Sequence, residues 1–375
     1  MGFFLSAFVL ATSLLASSVR AQTVFDCEHA LAVLAGEAPS VFGNLIKDRS
    51  VHWSANDHVA SVLFLQQAIR TIGLRSELYD LSVPAHLNAI QPHAPTSSMP
   101  ESLQSAVEDY RAHRPKGTFN VPVIDYGSHK IITNIIVRVP GYGPADQRKT
   151  IVIGAHYDTT NSHFHGWRGS GDGGKVYVPS RGADDNASGS VGVLKMMALT
   201  KAEPLFHDLV FALFDAEELG PYGLLRGSQE FVGGLTRAER KNIARALVID
   251  MIGRPDPSRG AAVNVSASYD KVLSGGVREA LVIEELMKKV APSVRSYVFG
   301  RFSPYYISRS DHTSFVDIGV PSILITDILR DGHHQDFYHS EDDRMEFLNM
   351  EFFEAVSDAA WAVVRFWATD SGLKR

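Results

Sequence analysis

Short runs of mainly apolar residues, each leading into acidic or imidazole side chains, constrain the fold of this chain most. The clearest are Thr150–Ala155, Leu209–Phe214 and Ala246–Met251, and Ile131–Val139 and Ser322–Thr326 are similar in composition. Strands that are apolar on both sides are typical of a sheet whose two faces are both covered. We therefore predict strands in the interior of a domain at these positions.

Segments with helical spacing of apolar residues alternate with these strands. They are Asp57–Ile72, Ser188–Leu199, Gly276–Val290 and Phe347–Ala368. Strands that alternate with helices predict an α/β domain with a mainly parallel sheet. The predicted fold class is a three-layer αβα sandwich around a central mixed, mainly parallel sheet.

Five polar segments lie at or near the ends of the predicted strands and helices. In sequence they are HYD at 156–158, GADDNASG at 182–189, FDAEELG at 214–220, IDM at 249–251 and FYHS at 337–340. Ligands of open α/β sheets bind outside the carboxyl ends of the strands. Charged groups delivered there by apolar strands are costly to desolvate unless they pair or bind a cation.

The residue types in these segments favour zinc. Two imidazoles and three carboxylates suit Zn²⁺, which accepts both nitrogen and oxygen ligands. They suffice for two metal ions that share one bridging carboxylate, an arrangement that activates water and polarises a carbonyl group. The adjacent Glu217 and Glu218 could divide the work between proton transfer and metal binding.

These segments, taken in order, resemble the motifs of the M28 metallopeptidase family of co-catalytic zinc aminopeptidases. The resemblance rests on HYD, GADDNASG, AEELG, IDM and the late YHS, and it covers roughly residues 45–370. It implies the fold of zinc-dependent exopeptidases and two Zn²⁺ ions per chain. It also implies a hydrolase whose substrates are peptides with a free N-terminus.

The resemblance implies a set of metal ligands. His156 and Asp250 resemble the terminal ligands of one zinc ion. Asp185, the second acid of GADDN, resembles the carboxylate that bridges both ions, and Glu218 and His339 resemble the terminal ligands of the other ion.

Three further residues are expected to take part in catalysis. Glu217 resembles the general base that takes a proton from the attacking water, and Tyr338 resembles a residue that stabilises the oxyanion. Asp158 lies two residues after His156, so on an extended chain both side chains share one face. It could accept a hydrogen bond from the imidazole and orient it.

Several neighbours compete with these assignments. We expect Asp184 to be an outward or capping acid beside the ligand Asp185. His333 and His334 are rivals of His339, but only His339 precedes the HSEDDRMEFL pattern of the family. His312, in the SDHTSF segment, is expected to be structural or close to substrate.

Two other groups of residues are assigned outside the ligand set. His163 and His165 are expected in an exposed loop. The candidate walls of a substrate pocket are aromatic: Trp167, Phe302, Tyr305, Tyr306, Phe315 and Phe337.

The N-terminus is typical of an exported protein. Residues 1–21 carry an apolar run and end in Val19-Arg20-Ala21, which favours a cleaved signal peptide. We expect residues 22–375 to form a single peptidase domain, with 22–45 as a candidate N-terminal extension, and residues 81–130 to be irregular or an edge hairpin. The protein is predicted to be secreted or periplasmic, with no membrane span after cleavage.

Charge and cysteine content exclude some classes of protein. The net charge is −6, with no basic run, so we expect no nucleic-acid partner. Cys27 is the single cysteine, which excludes an internal disulfide and a cysteine-rich zinc module.

Three alternative functions remain open. A glutaminyl cyclase-like acyltransferase resembles this chain, but such enzymes keep one zinc ion and lack the first histidine ligand, whereas His156 is present. A carboxypeptidase or amidohydrolase of the M20 family carries an inserted domain for which the segment between Asp250 and His339 is too short. A binding module with an inactive site is disfavoured, because all five candidate ligands and Glu217 are present.

Overall fold

The computed structural model describes residues 25–47, 49, 55–84, 129–160, 180–218, 225–256, 260–268, 276–300, 303, 305–328 and 337–374. The predicted signal peptide and most of the segment 81–130 lie outside these ranges. So do six residues singled out above: His163, His165, Trp167, Phe302, His333 and His334.

Eight strands form one sheet in the described part of the chain. They are β1 (Ser76–Pro84), β2 (His129–Val139), β3 (Thr150–His156), β4 (Asp208–Phe214), β5 (Ile243–Ile249), β6 (Ala262–Ala267), β7 (Arg295–Gly300) and β8 (Ser322–Thr326). Their order in the sheet is β1-β2-β4-β3-β5-β8-β6-β7. The central strands β4, β3, β5 and β8 run parallel, while β1, β2 and β6 pair antiparallel with their inner neighbours.

Helices cover both faces of this sheet. They are α1 (Cys27–Leu34), α2 (Ala55–Ile72), α3 (Gly189–Leu199), α4 (Arg226–Gly234), α5 (Arg237–Asn242), α6 (Gly276–Val290), α7 (His312–Asp317) and α8 (Met350–Thr369). One core cluster joins the sheet to α1, α2, α3, α6 and α8. A second cluster joins its other face to α4 and α7.

Alternation along the strands produces these two clusters. In β3, Ile151 and Ile153 belong to the first cluster and Val152 to the second. Successive side chains of a strand point to opposite faces, so a wholly apolar strand requires a cover on each face. The three-layer αβα fold with a mixed, mainly parallel sheet is thereby confirmed.

Some element boundaries differ from those predicted. Strand β5 ends at Ile249 rather than at residue 251, because Met251 has a left-handed backbone conformation with φ 58°. Helix α8 begins at Met350, since Asn349 caps it by accepting a hydrogen bond from the N–H of Phe352. A short 3₁₀ turn, Met345–Phe347, precedes that cap.

Strand β1 extends into the segment 81–130, which we predict to be irregular or an edge hairpin. It pairs antiparallel with β2 along its whole length and forms an edge of the sheet. Its sequence, SELYDLSVP, carries polar residues throughout, as is common at sheet edges. Because of these polar residues, β1 lacks the apolar run that marks the interior strands.

The N-terminal residues are part of the main core. Cys27, Leu31, Leu34 and Ile46 are buried in the first cluster. The segment 25–47 therefore packs against the main hydrophobic core through these side chains. Within the described ranges, no helix has the length and apolar character needed to cross a membrane.

Candidate metal centre

The carboxyl ends of three adjacent strands assemble the site. His156 is the last residue of β3, Asp250 directly follows β5, and Glu217 and Glu218 follow β4 within a few residues. Because β3 pairs in parallel with both neighbours, these ends meet at one edge of the sheet. The position agrees with the general location of ligand sites in open α/β sheets.

His156 faces two carboxylates. Its Nε2 atom lies 3.2 Å from Oδ1 of Asp250 and 3.3 Å from Oδ1 of Asp185. The imidazole is buried, which disfavours its charged form, but Asp250 and then the neighbouring acids outweigh burial and raise the pKa of His156.

His339 faces a second pair of carboxylates. Its Nε2 atom lies 2.9 Å from Oε1 of Glu218 and 3.1 Å from Oδ2 of Asp185. Burial opposes protonation, yet Glu218 and Asp185 raise the pKa of His339 to about 10. Asp185 thus presents one oxygen to each histidine.

The donor atoms suit zinc in kind, and their separations are slightly shorter than those of a tetrahedral zinc site. Zinc bonds of about 2.0–2.2 Å in a tetrahedral site place neighbouring donors roughly 3.3–3.6 Å apart. The separations between the histidine nitrogens and the carboxylate oxygens are 2.9–3.3 Å. Donor atoms of His156, Asp185 and Glu218 also lie within 4.8 Å of one another. The residues present therefore fit a zinc centre.

Asp158 connects the first histidine to the two glutamates. Its Oδ1 lies 3.4 Å from Nδ1 of His156. Its two oxygens accept hydrogen bonds from the backbone N–H groups of Glu217, at 3.2 Å, and of Glu218, at 3.1 Å. The backbone carbonyl oxygen of Asp158 also lies 3.3 Å from Nδ1 of His156. Asp158 therefore lies against the imidazole and fixes the turn after β4.

Glu217 is a buried acid beside the ligand group, with 8% of its surface exposed. Burial, together with the charges of Glu218 and Asp250, raises its pKa well above the ordinary value, although His156 acts in the opposite sense. A carboxyl group in such surroundings has the raised basicity that proton transfer at neutral pH requires.

Left-handed backbone conformations cluster at the site. Ala216, Met251 and His339 have φ values of 56°, 58° and 56°. Each is, or directly adjoins, a residue of the candidate site. Such conformations are disfavoured for residues other than glycine and occur most often where a functional geometry is fixed by its surroundings.

The prediction that Asp184 is an outward or capping acid is wrong. It is 1% exposed, and its Oδ1 accepts a hydrogen bond from the N–H of Gly253 at 2.8 Å. Its carboxyl group faces that of Asp327, and burial raises the pKa of both. Both Asp184 and Asp185 are buried within the turn Ala183–Ser188, in which Asp185 and Asn186 have non-helical dihedrals.

A residue missed from the sequence lies behind Asp185. Asp343 is buried, and its two oxygens accept hydrogen bonds from the backbone N–H groups of Asp184 and Asp185, both at 2.9 Å. Nη2 of Arg254 lies 3.3 Å from Oδ1 of Asp343. The acidic HSEDD run after His339 was a signal, but it did not distinguish Asp343 from its exposed neighbours.

Tyr338 stacks directly on His339. The ring centroids are 3.6 Å apart and the planes differ by 22°. Burial and the carboxylates of Asp185 and Glu218 raise the pKa of the phenol well above its usual value. The hydroxyl group therefore stays protonated and remains a hydrogen-bond donor.

The SDH segment contributes buried groups but no histidine to the ligand group. His312 is fully buried, its Nε2 lies 3.2 Å from the hydroxyl of Tyr306, and burial lowers its pKa to about 4. Burial raises the pKa of the adjacent Asp311 to about 7, with His156 acting against the shift. His312 is thus a neutral residue of the interior.

The candidate pocket aromatics have different surroundings. Phe315 packs in the core between Phe214 and Phe231, so it is not a pocket wall. Phe337 stacks on Phe347 with centroids 4.3 Å apart. Tyr305 is 41% exposed.

The chain is similar to known peptidases in sequence. The model of the family described as Peptidase family M28 matches residues 134–364. YfbL of Escherichia coli is 27% identical over 234 residues, covering 59% of this chain and 67% of that protein. Leucine aminopeptidase 1 of Emericella nidulans is 26% identical over 224 residues, covering 58% of this chain and 51% of that protein. The chain spans about half the length of that curated aminopeptidase.

Solved structures share the fold. BSAP, a zinc aminopeptidase from Bacillus subtilis, superposes with a TM-score of 0.58 at 16% identity, covering 92% of this chain and 95% of that chain. The glutaminyl cyclase of Porphyromonas gingivalis superposes with a TM-score of 0.59 at 17% identity, covering 91% and 98% of the two chains. The same fold therefore occurs in a zinc aminopeptidase and in a glutaminyl cyclase, so the fold alone does not distinguish these two activities.

Proposed function

The chain belongs to peptidase family M28, and from that premise we propose that it is a secreted zinc aminopeptidase that removes N-terminal residues from peptides. The observation that carries the proposal is the position of the Asp185 carboxylate between the two histidines: Oδ1 faces His156 and Oδ2 faces His339. Two donor groups that share one carboxylate are suited to a pair of metal ions.

The proposed ligand sets follow these two groups. His156, Asp250 and Oδ1 of Asp185 would hold one zinc ion. His339, Glu218 and Oδ2 of Asp185 would hold the other. The short donor separations within each set support this assignment.

Bound zinc would supply Lewis acidity toward the scissile carbonyl and lower the pKa of water. Glu217 would accept a proton from the attacking water at a carboxylate oxygen and pass it to the leaving amine. Its burial supports that role, because a desolvated carboxylate is more basic than an exposed one. Asp158 holds Glu217 in place through the backbone.

Tyr338 would donate a hydrogen bond to the carbonyl oxygen as negative charge develops on it. A donor fixed in advance stabilises the transition state without reorganisation. Stacking on His339 fixes the tyrosine ring beside the ligand group, which supports this role.

The acids around Glu217 and Asp250 would also recognise the substrate's α-amine. Acetylation would remove that contact and crowd the end of the pocket. The names of curated relatives, which include leucine aminopeptidases, favour a large apolar first residue.

A rate comparison between leucine p-nitroanilide and its N-acetyl derivative, with zinc content measured in parallel, tests the proposal. We expect hydrolysis of the free amine only, by protein that contains zinc. Equal rates on the two compounds would exclude an aminopeptidase. Activity restricted to N-blocked substrates with a free C-terminus would instead support a carboxypeptidase.

Glutaminyl cyclase activity is the second candidate, because a cyclase superposes on most of the chain. The presence of His156 within the first donor group disfavours it. Incubation with a peptide that begins with glutamine, followed by mass spectrometry, distinguishes the two. Loss of ammonia without cleavage would support the cyclase, and release of free glutamine would support the aminopeptidase.

Export forms part of the same proposal. Residues 1–21 would direct the chain out of the cytoplasm and be removed after Ala21. Expression of the whole sequence in a bacterial host, followed by N-terminal sequencing of protein from the periplasm and medium, tests it. A chain recovered only in the cytoplasm with residues 1–21 intact would contradict export.

A further inference from the structure

Two buried side chains that precede the family match contact three of the five segments that carry the proposed ligands of the candidate metal centre. Arg49 and His58 lie in the N-terminal part of the chain, whereas the match begins at residue 134. Both are almost fully buried, with 1% and 6% exposed. Neither belongs to the proposed ligands or to the residues that would touch substrate.

Arg49 joins the loop after His156 to the loop before Asp185. Its Nε donates a hydrogen bond to the carbonyl oxygen of Tyr157 at 2.7 Å, and its Nη2 donates to that of Gly182 at 2.8 Å. Tyr157 directly follows His156, and Gly182 lies three residues before Asp185. A planar guanidinium fixes the separation of its acceptors more closely than a lysine ammonium could.

The two loops approach each other closely at this point. Gly182 has a left-handed φ of 61°, and a Cβ there would lie 2.3 Å from Cγ2 of Thr159 and 2.6 Å from Nη2 of Arg49. The guanidinium therefore lies between the two loops, and its hydrogen bonds to both hold them at this separation.

His58 reaches the third loop, which carries the two glutamates. Its Nδ1 lies 3.0 Å from the carbonyl oxygen of Arg49, and its Nε2 lies 3.1 Å from Oδ2 of Asp215. The carbonyl oxygen can only accept, so Nδ1 carries a proton, and the Asp215 carboxylate beside Nε2 favours the charged, doubly protonated ring. Burial disfavours this charge, but the carboxylate of Asp215 outweighs it and raises the pKa of His58 to about 9.

Asp215 links His58 to the backbone that precedes Glu217. Its Oδ1 accepts a hydrogen bond from the N–H of Ala216 at 2.8 Å, and its Oδ2 accepts one from the N–H of Thr133 at 2.7 Å. Ala216 has the left-handed conformation that turns the chain toward Glu217 and Glu218. His58 also stacks on Tyr157, with ring centroids 5.7 Å apart.

We propose that Arg49 and His58 are positioning residues of the metal centre, which hold the loops of His156, Asp185 and Glu218 at the spacing that metal binding requires. The inference rests on the proposed function for the identity of the metal. It makes the N-terminal segment a part of the active centre, although that segment lies outside the matched family region. The alternative is that both residues only stabilise the fold.

Three single variants of the full chain separate these possibilities. Arg49→Lys keeps the charge but loses the planar fork, and His58→Gln removes the charge facing Asp215. Lys195→Met is the matched control, because Lys195 is also buried and its Nζ lies 2.7 Å from Oδ1 of Asp358, in contact with α8 rather than the site loops. Zinc affinity is measured by competition with a chromogenic chelator, alongside Tm, kcat and KM for leucine p-nitroanilide.

We expect Arg49→Lys and His58→Gln to lower zinc affinity by roughly 10–100-fold, the usual effect of residues that orient metal ligands. We expect kcat to fall with it and KM to change little, because neither residue would touch substrate. Lys195→Met should lower Tm and leave zinc affinity and kcat unchanged.

The inference is overturned if both variants bind zinc as tightly as the parent protein, or lose no more affinity than Lys195→Met at a similar Tm. If Arg49→Lys does not fold, His58→Gln decides alone, with His58→Asn as its replacement should it also fail. A parent protein that binds no zinc would contradict the proposed function instead, so the two failures are distinguishable.

Discussion

The carboxylate of Asp343 accepts a hydrogen bond from the backbone N–H of Asp185 at 2.9 Å. The two acids come from distant parts of the chain and meet behind the candidate metal centre. Asp185 is the residue that faces both histidines, so its backbone position determines the geometry of both donor groups.

Replacing Asp343 with asparagine should weaken metal binding. The amide keeps one acceptor oxygen but turns an NH₂ group toward one of two backbone N–H groups, and it loses the charge beside Arg254. We expect zinc affinity to fall by roughly 10–100-fold, measured by chelator competition. Asp342→Asn is the control, because Asp342 is the exposed neighbour. Equal zinc affinity in the two variants would contradict this role.

The adjacent glutamates should respond differently to the same change. Glu217→Gln should retain zinc while kcat falls by about 10²–10⁴-fold, because an amide cannot accept the proton of the attacking water. Glu218→Gln should lose zinc as well as rate, since its Oε1 lies 2.9 Å from Nε2 of His339. Metal analysis and kcat on the same preparations measure both effects. The reverse pattern would show that the two roles are exchanged.

Zinc stoichiometry should be two per chain, and chelation should abolish activity. Replacing His156 or His339 with alanine should each remove about one equivalent of zinc, because each histidine belongs to a different donor group. Metal analysis after dialysis gives the stoichiometry. A single equivalent in the parent protein, lost in both variants alike, would indicate one shared ion.

The sequence predicts the strands and the site motifs because these depend on local composition. Runs such as TIVIGA are apolar on both faces and can lie only between two layers of helices. His156 and Asp250 come at or directly after the ends of such strands, and the parallel pairing of β3 and β5 then brings them together.

The supporting residues could not be predicted in this way. Arg49 and Asp343 bind backbone carbonyl and N–H groups, which every residue possesses, so no side-chain pattern marks their partners. Asp184 lies in an irregular turn with non-helical dihedrals at Asp185 and Asn186. The side-chain periodicity of a regular strand or helix therefore does not predict which way Asp184 points.

The buried pair of His58 and Asp215 should make stability depend on pH. The pKa of His58 is raised from 6.5 to about 9 in the folded protein, although burial opposes it, because Asp215 and more distantly Asp158 favour the charged ring. A raised folded-state pKa contributes stability fully below about pH 6.5, and that contribution is lost as pH rises through about 9.

The free energy of unfolding in urea, measured for metal-free parent protein and His58→Gln at pH 7 and pH 10, tests this dependence. The difference between the two proteins should be larger at pH 7 than at pH 10. Titratable groups that do not interact with His58 cancel in that difference. A difference that does not change with pH would show that the His58 ring is neutral in the folded state.

Tyr338→Phe should lower kcat by about 10²–10³-fold, the usual loss when one donor to a developing oxyanion is removed. Phenylalanine preserves the ring that stacks on His339, so zinc content and Tm should remain those of the parent protein. Because the donated hydrogen bond would strengthen only as charge develops, KM for leucine p-nitroanilide should change little. Tyr142→Phe, which removes a hydroxyl from a side chain that is 66% exposed, should leave kcat unchanged. A raised KM with unchanged kcat in Tyr338→Phe would place the hydroxyl group in substrate binding rather than in stabilising the transition state.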